Sequence, residues 1–349
     1  MMKTLGIETS CDETSASVTE GKRVLSCVIS SSVEMHKKYG GVVPEIASRY
    51  HVEYIVEVVD RALRASKKRL GDIALISVTN GPGLVGALLT GISFAKALSL
   101  ARQKPIIGVN HVLAHLYSAF LDESISPRFP FVGLVVSGGH TALFFCEEMG
   151  RQKVLGQTLD DAVGEAFDKV AKTLGLGYPG GPAIEARAAR ARKKGSVRFP
   201  KTNVGKDSLD FSFSGLKTAV LYYVRDRQAS VQRKSVKSRA HYLTSEEIND
   251  ICYAFQENAI DALIEKTFDA VRRYGAREVV VGGGVAINAR LREKFRAAAV
   301  FRGGVTIHFP LPRHCLDNAA MVGFLGEEMY RQGKRSDVYL SAEPNLEVL

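Results

Sequence analysis

The 349-residue chain is poor in cysteine and has no Cys-x-x-Cys. Its five cysteines, Cys11, Cys27, Cys146, Cys252 and Cys315, are scattered and odd in number. That excludes a disulfide framework and a thiolate zinc site, and it suits a reducing, cytoplasmic setting. There is no low-complexity tract, and Met1 to Ser10 holds no apolar stretch long enough for a signal peptide. The one hydrophobic run of length, Leu84 to Ala101, carries Lys96 and several Ser, Thr and Gly and follows a Gly-Pro-Gly turn. It reads as a buried helix rather than a membrane span, so no membrane partner is expected. Neither Gly-x-x-x-x-Gly-Lys nor Gly-x-Gly-x-x-Gly occurs, which disfavours P-loop and Rossmann nucleotide binding. Acid is also in deficit: 37 Asp+Glu against 47 Lys+Arg leave a formal charge of +10. Such an excess favours a polyanionic partner, most commonly nucleic acid, and fits a merely basic soluble enzyme equally well.

What is present looks like one plan used twice. Leu5 to Thr14, an alternating strand, the Gly21-Lys22 turn and a strand through Val28 are matched by Val132 to Thr141, Ala142 to Cys146, a turn near Gly150 and Lys153 to Leu155. A strand–helix unit follows each. Ile73 to Val78, Gly81-Pro82-Gly83, Leu84 to Ala101 and Pro105 to Val109 form the first. Glu278 to Val281, Gly282-Gly283-Gly284, Ala286 to Ala298 and Val305 to Phe309 form the second. Apolar strands separated by such helices imply parallel pairing with helices on the faces, and two facing halves leave a cleft for a ligand.

A long insertion interrupts the second half. Asp161 to Leu174 and Glu246 to Arg273 read as helices, the latter with Ile248, Cys252, Phe255, Ala259, Leu263 and Val271 at helical spacing. Between them lie two basic runs, Arg187 to Lys206 and Arg225 to Arg239. Each alone reads as a solvated face; together they make a phosphate-backbone contact more plausible.

Asn110-His111-Val112-Leu113-Ala114-His115 places two histidines four apart, on one face of a helix and close enough to share a metal. By the duplication, Asp317 in Pro312-Arg-His-Cys-Leu-Asp-Asn318 points at the same cleft, ahead of His314 as third ligand. Two histidines and a carboxylate suit Fe(II) or Zn(II). A metalloprotease would need a Glu beside the first histidine; Val112 stands there. The clusters Ser137-Gly138-Gly139-His140-Thr141, Gly282-Gly283-Gly284 and Tyr178-Pro-Gly-Gly-Pro182 each read as a plain turn or as a ligand loop. Three in one duplicated chain favour nucleotide binding, with Asn288 one turn into a helix behind the second. Asp12 and Glu13 occupy the first hairpin turn, with Glu8 nearby. Asp161, Glu165 and Asp168 share a helix face, and Asp168 is the acid assigned to a ribose.

Taken in order, Gly6-Ile-Glu-Thr-Ser-Cys-Asp-Glu-Thr14, Gly40 to Arg49, Gly81-Pro-Gly-Leu-Val-Gly86, His111/His115, Ser137 to Thr141, Gly164-Glu-Ala-Phe-Asp-Lys169, Tyr178 to Pro182, Phe211-Ser-Phe-Ser-Gly-Leu-Lys217, Gly283 to Asn288 and Asp317-Asn318 cover nearly the whole chain. In these blocks it resembles the tRNA threonylcarbamoyladenosine transferase family in its bacterial form, once described as glycoproteases. The resemblance implies an α/β chain with the duplicated actin-like, Hsp70 and sugar-kinase (ribonuclease-H-like) ATPase fold. Its lobes are expected over 1–118 plus 319–349 and over 129–318, with the helical, basic insertion at about 160–275. It implies a divalent metal, Fe(2+) ahead of Zn(2+), on His111, His115 and Asp317. It implies the adenylate substrate on Val135, Val136, Ser137, Gly138, Gly139, Asp168, Gly181, Glu185 and Asn288. Val135 stands where archaeal and eukaryotic relatives carry a metal-binding Tyr. The implied reaction moves a threonylcarbamoyl group from threonylcarbamoyl-AMP to the 6-amino group of adenosine 37, in tRNAs reading codons that start with A, and releases AMP. Asp12 or Glu13 would orient or deprotonate that amine. The implied partners are tRNA, an inactive paralogue of the same fold and a small ATPase. A metallo-endopeptidase and an ATP-driven Hsp70-like module are the rival classes.

Overall fold

A computed structural model describes residues 2–121, 124–201, 204–205, 207–234 and 243–348. The first half contributes strands β1 (Lys3–Glu8), β2 (Glu13–Glu20), β3 (Arg23–Ser31), β4 (Leu75–Gly81) and β5 (Ile106–Asn110). Its helices are α1 (Val33–His36), α2 (Pro44–Ala65), α3 (Val85–Arg102) and α4 (His111–Tyr117). The second half contributes β6 (Phe131–Val136), β7 (Thr141–Glu148), β8 (Arg151–Gln157), β9 (Glu278–Gly282) and β10 (Thr306–His308). Its helices are α5 (Val163–Thr173), α6 (Gly180–Ala188), α7 (Ser214–Lys234), α8 (Ser245–Tyr274), α9 (Ala289–Phe301) and α10 (Pro312–Cys315). A last helix, α11 (Ala319–Arg331), returns to the first half and packs on β1, β2 and β4.

The two sheets have the same order. The first runs β3-β2-β1-β4-β5 and the second, read from its other edge, β8-β7-β6-β9-β10. In each the first three strands are antiparallel and the last two pair in parallel. The parallel strands explain their own sequences. Leu75–Gly81 and Glu278–Gly282 are buried along their whole length, as strands covered on both faces must be.

Three cores result. One lies outside the first sheet, where Leu5, Ile7 and Val18 meet Ile55 and Val58 of α2 and Ile92 of α3. A second joins the sheets, with Val109, Leu116, Val135, Phe144, Val280 and Phe324 in one cluster. The third holds the insertion helices against the outer face of the second sheet through Phe167, Phe255, Leu263 and Phe295.

The structure departs from the sequence reading in several places. The segment Leu84 to Ala101 buries only one face, through Ala87, Leu88, Gly91, Ile92, Ala95 and Ser99, and leaves Val85, Leu89 and Leu100 exposed. Asp161 precedes α5 instead of lying on it. After Gly282, the chain makes a 3₁₀ turn over Gly284–Ile287, and α9 begins only at Ala289. Asn288 is therefore the cap of that helix, not a residue one turn inside it; its Oδ1 accepts the Leu291 N–H at 2.9 Å. Of the second basic run, Arg225 and Arg227 lie on α7, while residues 235–242, and Lys206 of the first run, lie outside the described residues.

Candidate active site

The site forms where chain segments pass between the two sheets. Asn110 ends β5 and caps α4, its Oδ1 accepting the N–H groups of Val112 and Leu113. This cap starts the helix at His111 and sets His111 and His115 one turn apart, with ring centroids 4.7 Å apart and edge-on. Asp317, between α10 and α11, meets them: its Oδ1 lies 2.9 Å from His115 Nε2 and 3.7 Å from His111 Nε2. The ligand atoms of these three residues lie within 4.8 Å of one another, and the group could hold a metal ion.

Glu8 completes this group from behind. It is fully buried at the end of β1 and accepts from Ser10 N–H, Thr79 Oγ1 and His111 Nδ1 at 2.6, 2.6 and 3.0 Å. Burial pushes its carboxyl up, but His111 outweighs that and holds it below the usual range. Burial would likewise lower His111, yet Glu8 and Asp317 raise it to about 9. Burial opposes Asp317's ionisation too, and His111 and His115 together hold its carboxyl far below the ordinary carboxylate range. With Nδ1–H given to Glu8, His111 turns Nε2 toward Asp317. A carboxylate orienting the far nitrogen of a ligand histidine is the arrangement a metal centre requires. His115 Nδ1 is buried without a partner among the described residues, and Asp317 is the group seen to orient that ring. His314 is turned elsewhere, its Nε2 accepting from Arg313 Nε at 3.2 Å.

The turn bearing Asp12 and Glu13 is held from outside the cleft. His51 Nε2 donates to the Cys11 carbonyl at 2.9 Å and Thr14 Oγ1 donates to His51 Nδ1 at 2.7 Å. Ser32 Oγ donates to the Asp12 carbonyl at 2.9 Å and receives His36 Nε2–H at the same distance, while His36 Nδ1 accepts Val43 N–H. Each histidine thus has one neutral tautomer that satisfies both nitrogens. Burial also lowers His51, which keeps it neutral. Glu13 is pushed well above the carboxylate range by burial and then by the Asp12 and Asp317 charges.

Across from this turn, Ser137 to His140 link β6 to β7. Ser137 N–H donates to the His140 carbonyl and His140 N–H donates to Ser137 Oγ, at 2.8 and 3.1 Å. Gly138 and Gly139 face open space. Val135 and Val136 bury their side chains completely. Gly283 packs under this turn at φ +92°, where an added Cβ would lie 2.3 Å from the Val136 carbonyl oxygen.

Asp168 Oδ1 accepts Gly180 N–H at 2.7 Å, which binds α5 to the start of α6, and Gly181 beside it faces open space. Glu185 Oε1 accepts Ala289 N–H at 2.7 Å, and Asn288 Nδ2 donates to Gln256 Oε1 at 2.9 Å. So Asp168, Gly181, Glu185 and Asn288 are gathered on adjoining elements. Asp161 and Glu165 are engaged otherwise: both pair with Lys169, and Asp161 also with Lys217. Their neighbour Asp160 caps α7 through Phe213 and Ser214 N–H.

Five contributors lie outside the sequence reading in these roles: Glu8, His140, Gln256, His36 and His51. His140 lies with its ring centroid 6.1 Å from that of His111, and burial, then the His111 and His115 charges, lower it to about 4. His51 had a legible signal, standing four residues from both Ala47 and Ile55 on the buried stripe of α2.

Asp168 yields a prediction. Burial, then the Asp12 and Glu165 charges, raise it from 3.8 to about 6 against the opposing Gly180 hydrogen bond. The folded state therefore holds this proton more tightly than the unfolded chain. That stability is complete below pH 4 and is lost as pH rises through about 6. Asp168→Asn keeps the Gly180 bond and removes the buried charge, so it is expected to stabilise the protein at pH 8 by about 1–2 kcal/mol, after discounting for partial exposure. The gain should vanish by pH 4. Denaturant titrations at the two pH values check it; an equal effect at both would contradict the burial argument.

Two matched sheets, with a His/His/Asp group on the segments between them, define a two-lobed α/β protein of the actin-like, ribonuclease-H-like ATPase fold. Full-length HypF, solved in a phosphate- and nucleotide-bound form, shares this fold, with TM-score 0.61 and 12% identity over 96% of this chain; the chain spans 56% of HypF. HypF of T. kodakarensis matches with TM-score 0.59 over 95% of this chain and 48% of its own length. At the level of sequence, the model of the tRNA N6-adenosine threonylcarbamoyltransferase family matches residues 23–324. Relatives of that name from Dictyoglomus turgidum and Anaeromyxobacter sp. are each 48% identical. The first covers 99% of this chain and 98% of its own, the second 98% and 99%. The chain belongs to this family and is a transferase of tRNA modification.

Proposed function

We propose that the chain transfers the threonylcarbamoyl group of threonylcarbamoyl-AMP to the 6-amino group of adenosine 37 in tRNAs reading codons that start with A. The observation that carries this reading is the adjacency of the His111/His115/Asp317 group to both the Asp12–Glu13 turn and the open Ser137–Gly139 turn. The donor set fits Fe(2+), with Zn(2+) second, and such an ion supplies Lewis-acid polarisation of a carbonyl. Gly138, Gly139 and Gly181 leave backbone bare for the adenylate, with Asp168 and Glu185 near its ribose. The adenine nitrogen attacks the carbamoyl carbon, the bond from that carbon to the phosphate oxygen breaks, and AMP leaves. Burial and the neighbouring Asp12 charge push the Glu13 carboxyl up, which suits Glu13 to orienting the amine and leaves Asp12 to take its proton.

Peptidase activity has no support, because Val112 occupies the place of the hydrolytic base and is buried. For assembly, Val52 and Val56 on α2 and Val85 and Leu89 on α3 expose apolar surface on two helices packed together. We assign that face to the inactive paralogue, with the small ATPase joining the pair, in the cytoplasm.

Mass analysis of tRNA nucleosides tests the reaction. Depletion of the protein should leave unmodified adenosine in place of threonylcarbamoyladenosine, and the purified chain with its partners, the adenylate and a tRNA transcript should form the modified nucleoside. Unchanged nucleosides in both experiments would overturn the assignment.

A further inference from the structure

After α11 the chain runs back along the first half. Gly333 turns it at φ +88°, and Ser336 Oγ accepts Gly108 N–H of β5 at 3.1 Å. Asp337 Oδ1 accepts Tyr339 N–H at 2.7 Å, a local turn that leaves Tyr339 86% exposed and returns Leu340 and Ala342 to the core outside the first sheet. The segment then crosses the turn that ends β4. Glu343 N–H donates to the Asn80 carbonyl at 2.8 Å, and the Pro344 carbonyl accepts Gly83 N–H at 3.1 Å. Leu346 closes over Gly81, where an added Cβ would lie 2.7 Å from that of the leucine.

The same turn meets the candidate site on its other side. Leu84 N–H, the next amide after that of Gly83, donates to the Ser10 carbonyl at 2.8 Å, and an added Cβ on Gly83 would stand 2.5 Å from that oxygen. Ser10 is buried; its N–H donates to Glu8, and its Oγ lies 3.1 Å from His111 Nδ1, so Glu8 and Ser10 share that N–H. Two adjacent amides of one turn thus hold residue 344 on one side and residue 10 on the other. A Gly-Pro-Gly turn is soft at both glycines, and contacts from both sides are what fix it.

We propose that residues 336–346 are a strap that positions the His/His/Asp group: the strap fixes the Gly81–Gly83 turn, the turn fixes Ser10, and Ser10 with Glu8 fixes the ring of His111; this rests on the metal reading above. Ser10, Gly83 and Leu346 are positioning residues, which touch neither metal nor substrate. Partners behind a ligand histidine change metal affinity by about 10–100-fold, and the coupling is reciprocal, so a bound ion must also hold the strap down. Zn(2+) titration of the purified full chain reads the first direction. Ser10→Ala and Leu346→Asp should each weaken Zn(2+) binding by about tenfold, and Tyr339→Ala, on the exposed side of the same strap, should leave it unchanged. Because the strap acts through Ser10, the double variant should lose little more than the larger single, whereas independent effects would multiply to about a hundredfold. Amide hydrogen exchange of the unaltered protein reads the second direction, with no variant that could fail to fold: Zn(2+) should slow exchange at Gly83 and Glu343 by about tenfold. Full zinc affinity in Leu346→Asp, multiplied losses in the double variant, or exchange at Glu343 indifferent to Zn(2+) would overturn the proposal. Asp317→Asn measured alongside separates the two readings. If it loses Zn(2+) while the strap variants keep it, only the strap falls; if the unaltered chain binds no Zn(2+), the metal reading falls and takes the strap with it.

Discussion

Asp317→Asn is expected to lose its bound metal and to transfer threonylcarbamoyl at least about 10²–10³-fold more slowly, while remaining folded. The amide keeps the carboxylate's shape, and Glu8 still faces His111, so the buried imidazole keeps its partner. What disappears is the anionic donor that both Nε2 atoms approach, and two histidines alone leave too few ligands for a tight site. The activity loss corresponds to the several kcal/mol that carbonyl polarisation supplies. Glu8→Gln provides a graded comparison. It removes a charge one layer behind the ligands, so metal affinity should fall by about 10–100-fold without being abolished. Elemental analysis and metal titration measure both. Full occupancy in Asp317→Asn would overturn the ligand assignment, and equal losses in the two variants would deny Glu8 its supporting place.

The second large effect separates glycines that look alike in sequence. Gly283→Ala should destabilise the fold by on the order of 3–5 kcal/mol, because the new Cβ would stand 2.3 Å from the Val136 carbonyl at a backbone angle of +92°. Gly139→Ala meets nothing within 4 Å, so its stability should stay within about 0.5 kcal/mol of the parent. It should instead weaken adenylate binding by about tenfold or more, since a methyl group would occupy the space left for the ligand. Urea denaturation and calorimetry with an adenylate analogue measure the two quantities. A Gly139→Ala protein that binds normally would remove that turn from the ligand site.

Much of this architecture could be read from the chain because its signals are local. Alternation in Glu13–Glu20, the apolar run at 279–281 and the turns between them reveal two copies of one sheet order. The helix expected from Ala286 begins only at Ala289, because the apolar stretch Gly284–Ile287 folds as a 3₁₀ turn. Asn288, a strong capping residue, carried the correct boundary. Glu8 was visible only as an acid near a turn, since its role depends on His111, 103 positions away. Gln256 and the histidines behind the Asp12 turn are likewise defined by partners distant in sequence. The stripe of α2 shows that His51 is buried, but no local pattern tells what it or the others hold in place. The acids Asp161 and Glu165 show the converse, a striking spacing whose use is to hold two lysines.

The chain passes between the halves twice. It leaves the first sheet through α4 and re-enters it through Asp317 and α11, and at that place the two crossings touch, His115 against Asp317. Any swing of one half against the other has these crossings as its hinge. Points far from a hinge travel furthest, and points on it keep their spacing. The His/His/Asp group thus sits where rotation changes distances least, and a bound ion could stay in place through a full cycle of opening and closing while substrates and products come and go.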